Sequence, residues 1–391
     1  MLTINIDEYP YSDPWIVPFE KRLSSLLRGE LRVAYFYEQP NNSTFRYRAY
    51  NMAEALNSLG DGRVSASYFF LSDLSNVEQI VKAADLLVVC RSRYSAQLNC
   101  LIQRFRAQGK KVLFDVDDLV FDLDYVHVLT DSLGLDAGLP QVFDDWFAYI
   151  GRMSQSLKLC DGAITTNEFL ATRITEFCDL SALVVPNFMN SVQQKFSDEI
   201  FSAKLKGDFL SDGQVTLGYF SGSPSHKLDF AIVAPALVEL LEEDESLDLV
   251  VVGYIEPDAS LERFSDRIRS YPFQDYVNLQ KLIASVDINL VPLQDNVFTN
   301  CKSELKYFEA GAVGVPSVVS PVFTYRGAIS DGQNGFLAKS YQWGDAIRRS
   351  KVDLSTGGAV ASRARAHSLS AYSWDSQFEN IMKALTSLGS L

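Results

Sequence analysis

Short apolar runs alternating with amphipathic segments make up most of this chain. Leu31–Tyr37, Val64–Phe70, Asp85–Cys90, Lys111–Asp115 and Gly162–Thr166 are strand-length and almost continuously apolar. Between them, segments around 45–59, 75–84, 94–108 and 141–160 carry apolar residues at helical spacing. Strands without polar alternation, separated by helices, predict a parallel sheet covered on both faces. Ala182–Asn187 reads as the last strand of this unit, and the polar, Gly-containing residues 188–213 read as a linker. The pattern restarts at Val215–Ser221 with a helix over 229–243, a strand over 247–253, a helix near 278–285 and a strand over 287–292. A closing helix begins near Ser373, where Trp374, Phe378, Ile381, Leu385 and Leu388 form one stripe.

The reading is therefore α/β with a leader over 1–30, one domain over 31–188, a linker over 189–213, a second domain over 214–370 and a final helix over 371–391. In the leader, Pro10, Pro14 and Pro18 interrupt the chain, and Phe19, Leu23, Leu26 and Leu27 then follow helical spacing. The expectation is a short helix packed on the first domain. A peripheral membrane or partner-protein contact through Tyr11, Trp15 and Phe19 is the second option.

A length of 391 residues suffices for two cores, and a hydrophobic fraction of 47% is that of a globular chain. A formal net charge of −14 argues against nucleic acid as a partner. The cysteine count is odd, at five, without CxxC spacing, which predicts a reduced, cytoplasmic setting. No apolar run is long enough to span a bilayer, and Asp7, Glu8 and Asp13 stand where a secretory signal would be basic.

In a chain this acidic, local clusters of cations stand out. Within Asn300–Ser320, Lys302, Lys306 and Glu309 are spaced i, i+4, i+7, so one helical face would carry all three. Gly314 reads as a left-handed cap and Pro316 stops the helix. Cations and a carboxylate near a helix start suit a phosphate beside a hydroxyl-rich group. The alternative is a solvated helix face with a Lys–Glu pair.

This stretch resembles the nucleotide-sugar site of glycosyltransferase family 4, and the Lys-Ser-x-x-Lys-x-x-Glu variant resembles a bacterial polysaccharide-biosynthesis subgroup. The resemblance implies the GT-B fold: two Rossmann-like domains facing a cleft, with a C-terminal helix crossing back to the N-terminal domain. It implies a nucleotide-sugar donor, a glycan, lipid-linked or protein-linked acceptor, retention of configuration, and no cofactor or obligatory metal. The family usually shows Glu, seven residues, then Glu. Glu309 fits the second, which holds the ribose, and Cys301 stands where the first contacts the donor sugar. Ser303, Lys302 and Lys306 fit the subgroup pattern and would stabilise the leaving diphosphate. Glu304 and Asn296 fall beside them and are placed with the donor-binding residues.

Strand carboxyl ends bind ligands in open α/β sheets. The loop Ser221–Asp229 therefore adds Gly222, Ser223, His226 and Lys227 to the donor side, the last two as phosphate-neutralising groups. The loop Pro40–Arg48 adds Arg46 and Arg48 as a grip on an anionic acceptor, such as a lipid-linked diphosphate. Asp117 and Asp118, just past a strand, would bind or position the acceptor hydroxyl. The same Asp-x-Asp is also how GT-A enzymes hold a metal, a reading set aside because the diphosphate signals lie in the second domain. Cys301 in place of Glu sustains an alternative, a non-catalytic GT-B subunit that binds glycan or supports a partner enzyme.

Overall fold

The computed structural model describes residues 11–41, 43–58, 60–136, 138–207, 213–222, 227–253 and 259–389. Two six-stranded, all-parallel sheets form its centre. The first contains β1 (Leu31–Tyr37), β2 (Val64–Phe70), β3 (Leu86–Cys90), β4 (Val112–Val116), β5 (Gly162–Thr165) and β6 (Ala182–Val184) in the order β2-β1-β3-β4-β5-β6. The second contains β7 (Val215–Ser221), β8 (Leu247–Gly253), β9 (Ile268–Tyr271), β10 (Ile288–Val291), β11 (Ser317–Val319) and β12 (Phe336–Leu337) in the order β12-β11-β10-β7-β8-β9. These are two Rossmann-like units, and their order reverses between β1 and β3 and between β7 and β10. Ligands bind at such reversals, at the strand carboxyl ends.

The apolar runs become strands because helices cover both faces of each sheet. In the first sheet Ala34, Phe36, Leu87 and Val89 face one core, and Val33, Tyr35, Leu86 and Val88 face the other. The closing helix Trp374–Gly389 belongs to the second of these: Phe378, Ile381 and Leu385 pack among residues of the N-terminal domain. The crossing-back helix implied by the resemblance is thus present.

Three expectations need correction. Residues 191–205, within the segment read as a linker, form a helix, Ser191–Leu205, capped by Asn190. Its buried face is Gln193, Ser197 and Ile200, mostly polar, so it gives no amphipathic signal. The leader turns inward: Trp15 is buried against Phe45 and Tyr50, Phe19 packs on Phe69, and Tyr11 accepts a hydrogen bond from Arg46. Among the described residues of the leader, Tyr11, Trp15 and Phe19 thus pack against the protein.

The third correction concerns the arginine pair. Arg48 has no exposed side-chain surface and donates to Asp115 through Nε at 2.7 Å and Nη2 at 2.9 Å. Its Nη1 donates to the Val185 carbonyl at 2.7 Å and to Asn187 Oδ1 at 3.2 Å. Arg46 is buried among Tyr11, Trp15 and Tyr276, with their ring centroids 4.8 to 5.7 Å from its guanidinium. Neither guanidinium is turned toward an acceptor; both are structural, held by partners inside the protein.

Removing one member of a buried ion pair leaves the other charge uncompensated, at a cost of about 3–5 kcal/mol. Arg48→Met should lower unfolding free energy by that order in urea titrations, and the double variant Arg48→Met/Asp115→Leu should recover most of it. An Arg48→Met protein of wild-type stability would show that the pair does not hold the domain.

Candidate functional site

A cavity of about 710 Å³ lies between the carboxyl ends of the two sheets. From the N-terminal domain it is lined by Tyr37, Thr44, Tyr47, Arg91, Asp117 and Asp118, and by Leu129, Leu133 and Trp146. The C-terminal domain contributes Gly222, Leu293, Lys302, Ser303, Leu305 and Lys306. A narrower recess of about 100 Å³ shares Gly222, Leu305 and Lys306 and continues to Gly253, Phe273, Gln274 and Glu309.

The helix Leu305–Ala312 carries the central groups. It ends as its sequence requires, with Gly314 at φ +70° and the Val315 amide donating to the Ala310 carbonyl at 3.0 Å. The helix starts at Leu305, however, so Lys302 and Ser303 lie in the preceding turn and not on one helical face with Lys306. They reach the cavity from that turn. Lys302 Nζ sits 4.7 Å from the Phe298 ring centroid, and Ser303 Oγ accepts from Asn187 Nδ2 at 2.9 Å.

Lys306 Nζ is sealed from solvent without a hydrogen-bond partner among the described residues, 5.4 Å from the Tyr219 ring centroid. Burial pushes its pKa down to about 8, against the upward pull of the Asp229 carboxylate. Buried cations normally have partners. One that lines both recesses without one is suited to an incoming anion. One turn along, Glu309 lines the narrow recess, and burial raises its pKa to about 7. Tyr47, from the opposite domain, donates its hydroxyl to Glu309 Oε1, and the charges of Arg46 and Lys306 further offset the burial.

Across the cavity, Arg91 Nη1 donates to Asp117 Oδ1 and Asp118 Oδ2, both at 2.8 Å, and Thr44 Oγ1 donates to Asp117 Oδ2 at 2.8 Å. Burial raises the Asp117 pKa, but Arg91, Thr44 and Arg48 outweigh it and hold the group below the usual carboxylate range. Asp117 and Asp118, tied to one guanidinium, are thus presented together to the cavity. Arg91 holds this position with φ of +33°, in the sparsely populated left-handed region, and Thr44, at the end of its fork, helps fix it.

The structure gathers Gly222, Lys302, Ser303, Lys306, Glu309, Asp117 and Asp118 at one place. Six other candidates need correction or fall outside it. Cys301 is 0% exposed and packs with Phe298 in the core of the N-terminal domain, while its carbonyl accepts from Asn167 Nδ2 at 2.8 Å. It joins the domains and does not touch the cavity. Asn296 caps the turn Val297–Asn300 by accepting from the Thr299 amide at 2.9 Å, and its Nδ2 donates to Ser132 at 3.2 Å. Glu304 is buried behind the helix against Tyr372, its pKa raised by burial to about 7. Ser223 and His226 lie outside the described residues; Lys227 begins the helix Lys227–Glu243, and its side chain is likewise outside them.

Several lining residues escaped the sequence reading. Arg91 follows an apolar run directly, the same signal that identified Asp117. Tyr47 lies between two arginines and attracted no attention as a polar group. Gly253 ends β8 at φ +106°, where an added Cβ would fall 1.9 Å from the Ser221 carbonyl oxygen. Only glycine fits there, and Val-Val-Gly at a strand end was the available cue.

Two Rossmann-like domains closed on such a cavity, with a C-terminal helix returning to the first domain, define a GT-B protein. Residues 215–350, about a third of the chain, match the family described as glycosyl transferases group 1. Among solved structures, the chain resembles HepE of Anabaena in complex with UDP and glucose (13% identity, TM-score 0.61, covering 91% of this chain and 99% of that one). It also resembles sucrose-phosphate synthase from Thermosynechococcus elongatus (14% identity, TM-score 0.58, covering 92% and 99%). WaaG, a glycosyltransferase involved in lipopolysaccharide biosynthesis, is similar at 14% identity and TM-score 0.56, covering 91% and 99%. No curated protein matches. Among the described residues, no helix is long and apolar enough to cross a membrane.

Because the folded-state pKa of Glu309 is raised, its contribution to stability is fully present below the unfolded value, near 4.5, and is lost as pH rises through about 7. Chemical denaturation at pH 4.5 and 8 should therefore show a drop that Glu309→Gln reduces by on the order of 3 kcal/mol. Parallel pH profiles for the two proteins would place the Glu309 carboxylate in water.

Proposed function

We propose that this protein is a glycosyltransferase that moves a sugar from a nucleoside-diphosphate donor to a hydroxyl of a glycan, glycolipid or glycoprotein acceptor. The carrying observation is the buried Lys306 ammonium, which lines both recesses without a hydrogen-bond partner among the described residues, one helical turn from Glu309. The match of residues 215–350 to group 1 glycosyl transferases supports the reading. In it, the nucleoside occupies the recess from Gly253 to Glu309, and Glu309 accepts hydrogen bonds from the ribose after the Tyr47 hydroxyl yields. The diphosphate lies at Gly222, with Lys306, Lys302 and Ser303 stabilising the charge that grows as the sugar C1–oxygen bond breaks. Such stabilisation is usually the largest catalytic term.

Asp117 and Asp118 position the acceptor hydroxyl from the other wall. Its oxygen bonds to C1, and its proton passes to the departing phosphate oxygen. Configuration is retained and no metal is obligatory, because lysines supply the positive charge. The placement is cytoplasmic, with nucleotide sugar as the soluble partner. The second reading, a non-catalytic GT-B subunit, draws on Cys301, whose burial leaves the acidic group usual at that position without a replacement there.

A thermal-shift screen with UDP, GDP, dTDP, CDP and ADP, with and without EDTA, tests this. One nucleotide should stabilise the chain in EDTA, and Glu309→Ala should abolish the shift without unfolding the protein. Lys306→Met should weaken binding by about 1.5–3 kcal/mol, the range for a hydrogen bond to a charged group. Wild-type affinity should fall as pH rises past about 8, where free Lys306 loses its proton, and the Lys306→Met profile should be flat there. Asp117→Asn should impair acceptor use while leaving nucleotide affinity near wild type. Nucleotide binding without transfer to any acceptor would favour the non-catalytic subunit; no shift with any nucleotide would sink the donor site.

A further inference from the structure

One wall of the cavity is unlike the rest. On the N-terminal side, away from Lys306, it is formed by Val120, Leu129, Leu133, Leu135 and Trp146. Val120 follows β4, and the others come from the helix Val126–Ser132, the loop after it and the helix Pro140–Lys158. Sugar hydroxyls find few partners on such a surface. The apolar character also continues outward. Phe143 and Phe147 flank Trp146 at i−3 and i+1 on the same helix, their rings stack at 5.8 Å, and they are 39% and 44% exposed. Leu139, 52% exposed, precedes that helix. An apolar track thus leads from the inner wall past Leu135 and Trp146 to the surface. The segment 126–151 carries four aspartates and no lysine or arginine, so an anionic bilayer surface or a fatty carboxylate would be repelled.

We propose that this track binds the neutral apolar aglycone of the acceptor, an alkyl or prenyl chain, and so assigns the acceptor to the glycolipid class. The proposal rests on the glycosyltransferase reading above. The sugar end of the acceptor points to Asp117 and Asp118, and the chain leaves along Leu133, Leu135 and Trp146 to the Phe143–Phe147 pair.

The probe is 12-bromododecyl β-glucopyranoside below its micelle concentration, added to the full chain, with the bromine quenching tryptophan on contact. Saturable quenching is expected, lost in Trp146→Phe, reversed by excess dodecyl β-glucopyranoside and not reversed by methyl β-glucopyranoside. The 8-bromooctyl analogue should bind about tenfold more weakly or worse, as expected when buried methylenes drive binding. Leu135→Asp, a change at an exposed position, should weaken binding at least tenfold, and Phe143→Ser/Phe147→Ser severalfold, both with the wild-type nucleotide shift.

No saturable quenching, or quenching that Leu135→Asp leaves unchanged, overturns the proposal. So does capture by neutral phosphatidylcholine vesicles without binding of the monomeric probe, which would make the track a membrane surface. A dimer in sedimentation that Phe143→Ser dissolves would make it a subunit interface and also overturns it. The two readings fail separately: a nucleotide shift without quenching removes only the aglycone track, whereas quenching without any nucleotide shift removes the donor site and, with it, the acceptor assignment.

Discussion

A guanidinium without access to solvent sits where the parts of this molecule meet. Arg48 satisfies its donors on Asp115, at the end of β4, and on Val185 and Asn187, where the chain leaves the first sheet. Each contact extends into the cavity. Two residues beyond Asp115 is Asp117, held by Arg91 and Thr44. Asn187, held on one side by Arg48, holds Ser303 on the other. Tyr47, beside Arg48 on the same π-helical turn Arg46–Tyr50, reaches across to Glu309. A buried charge must be fully paired or it destabilises strongly, so this geometry tolerates little displacement. The wall that carries Asp117 and the helix that carries Lys306 are thereby positioned by one buried group that does not itself line the cavity.

The closed cleft follows from the same economy of polar groups. Asn167 to Cys301, Asn296 to Ser132 and Tyr47 to Glu309 all cross between domains, and each satisfies a group that would otherwise be buried alone. The returning helix adds apolar burial through Phe378, Ile381 and Leu385. Lys306 departs from this pattern, since its ammonium has no hydrogen-bond partner among the described residues. A buried cation at a cavity wall without an internal hydrogen-bond partner marks where an outside anion completes the network.

Departures from expectation have a common cause. Arg48 and Cys301 were read for the chemistry of their side chains, which is the same whether they face a cleft or a core. Burial reassigned both, Arg48 to a buried pair and Cys301 to the domain junction. Asn296 and Glu304 were placed by adjacency to Lys302 and Ser303. In a tight turn followed by a helix, neighbours in sequence point to different sides, and these two point away from the cavity. The helix Ser191–Leu205 was missed because its buried face is polar and answers to Tyr47 and Gln280, neither of which is near in sequence.

By itself, the order of residues determined the strands of the first sheet, three of the six in the second, the closing helix and the Lys306–Glu309 pair. Those features rest on local periodicity: strands buried on both faces must be apolar throughout, and helix geometry puts residues three or four apart on one side. Only the tertiary structure decided which polar groups are spent inside the protein and which face the cavity. That choice depends on partners a hundred or more residues away, as with Arg48 and Asn187 or Tyr47 and Glu309. The cost of burying an unpaired charge is what enforces it, and no spacing along the chain records that cost.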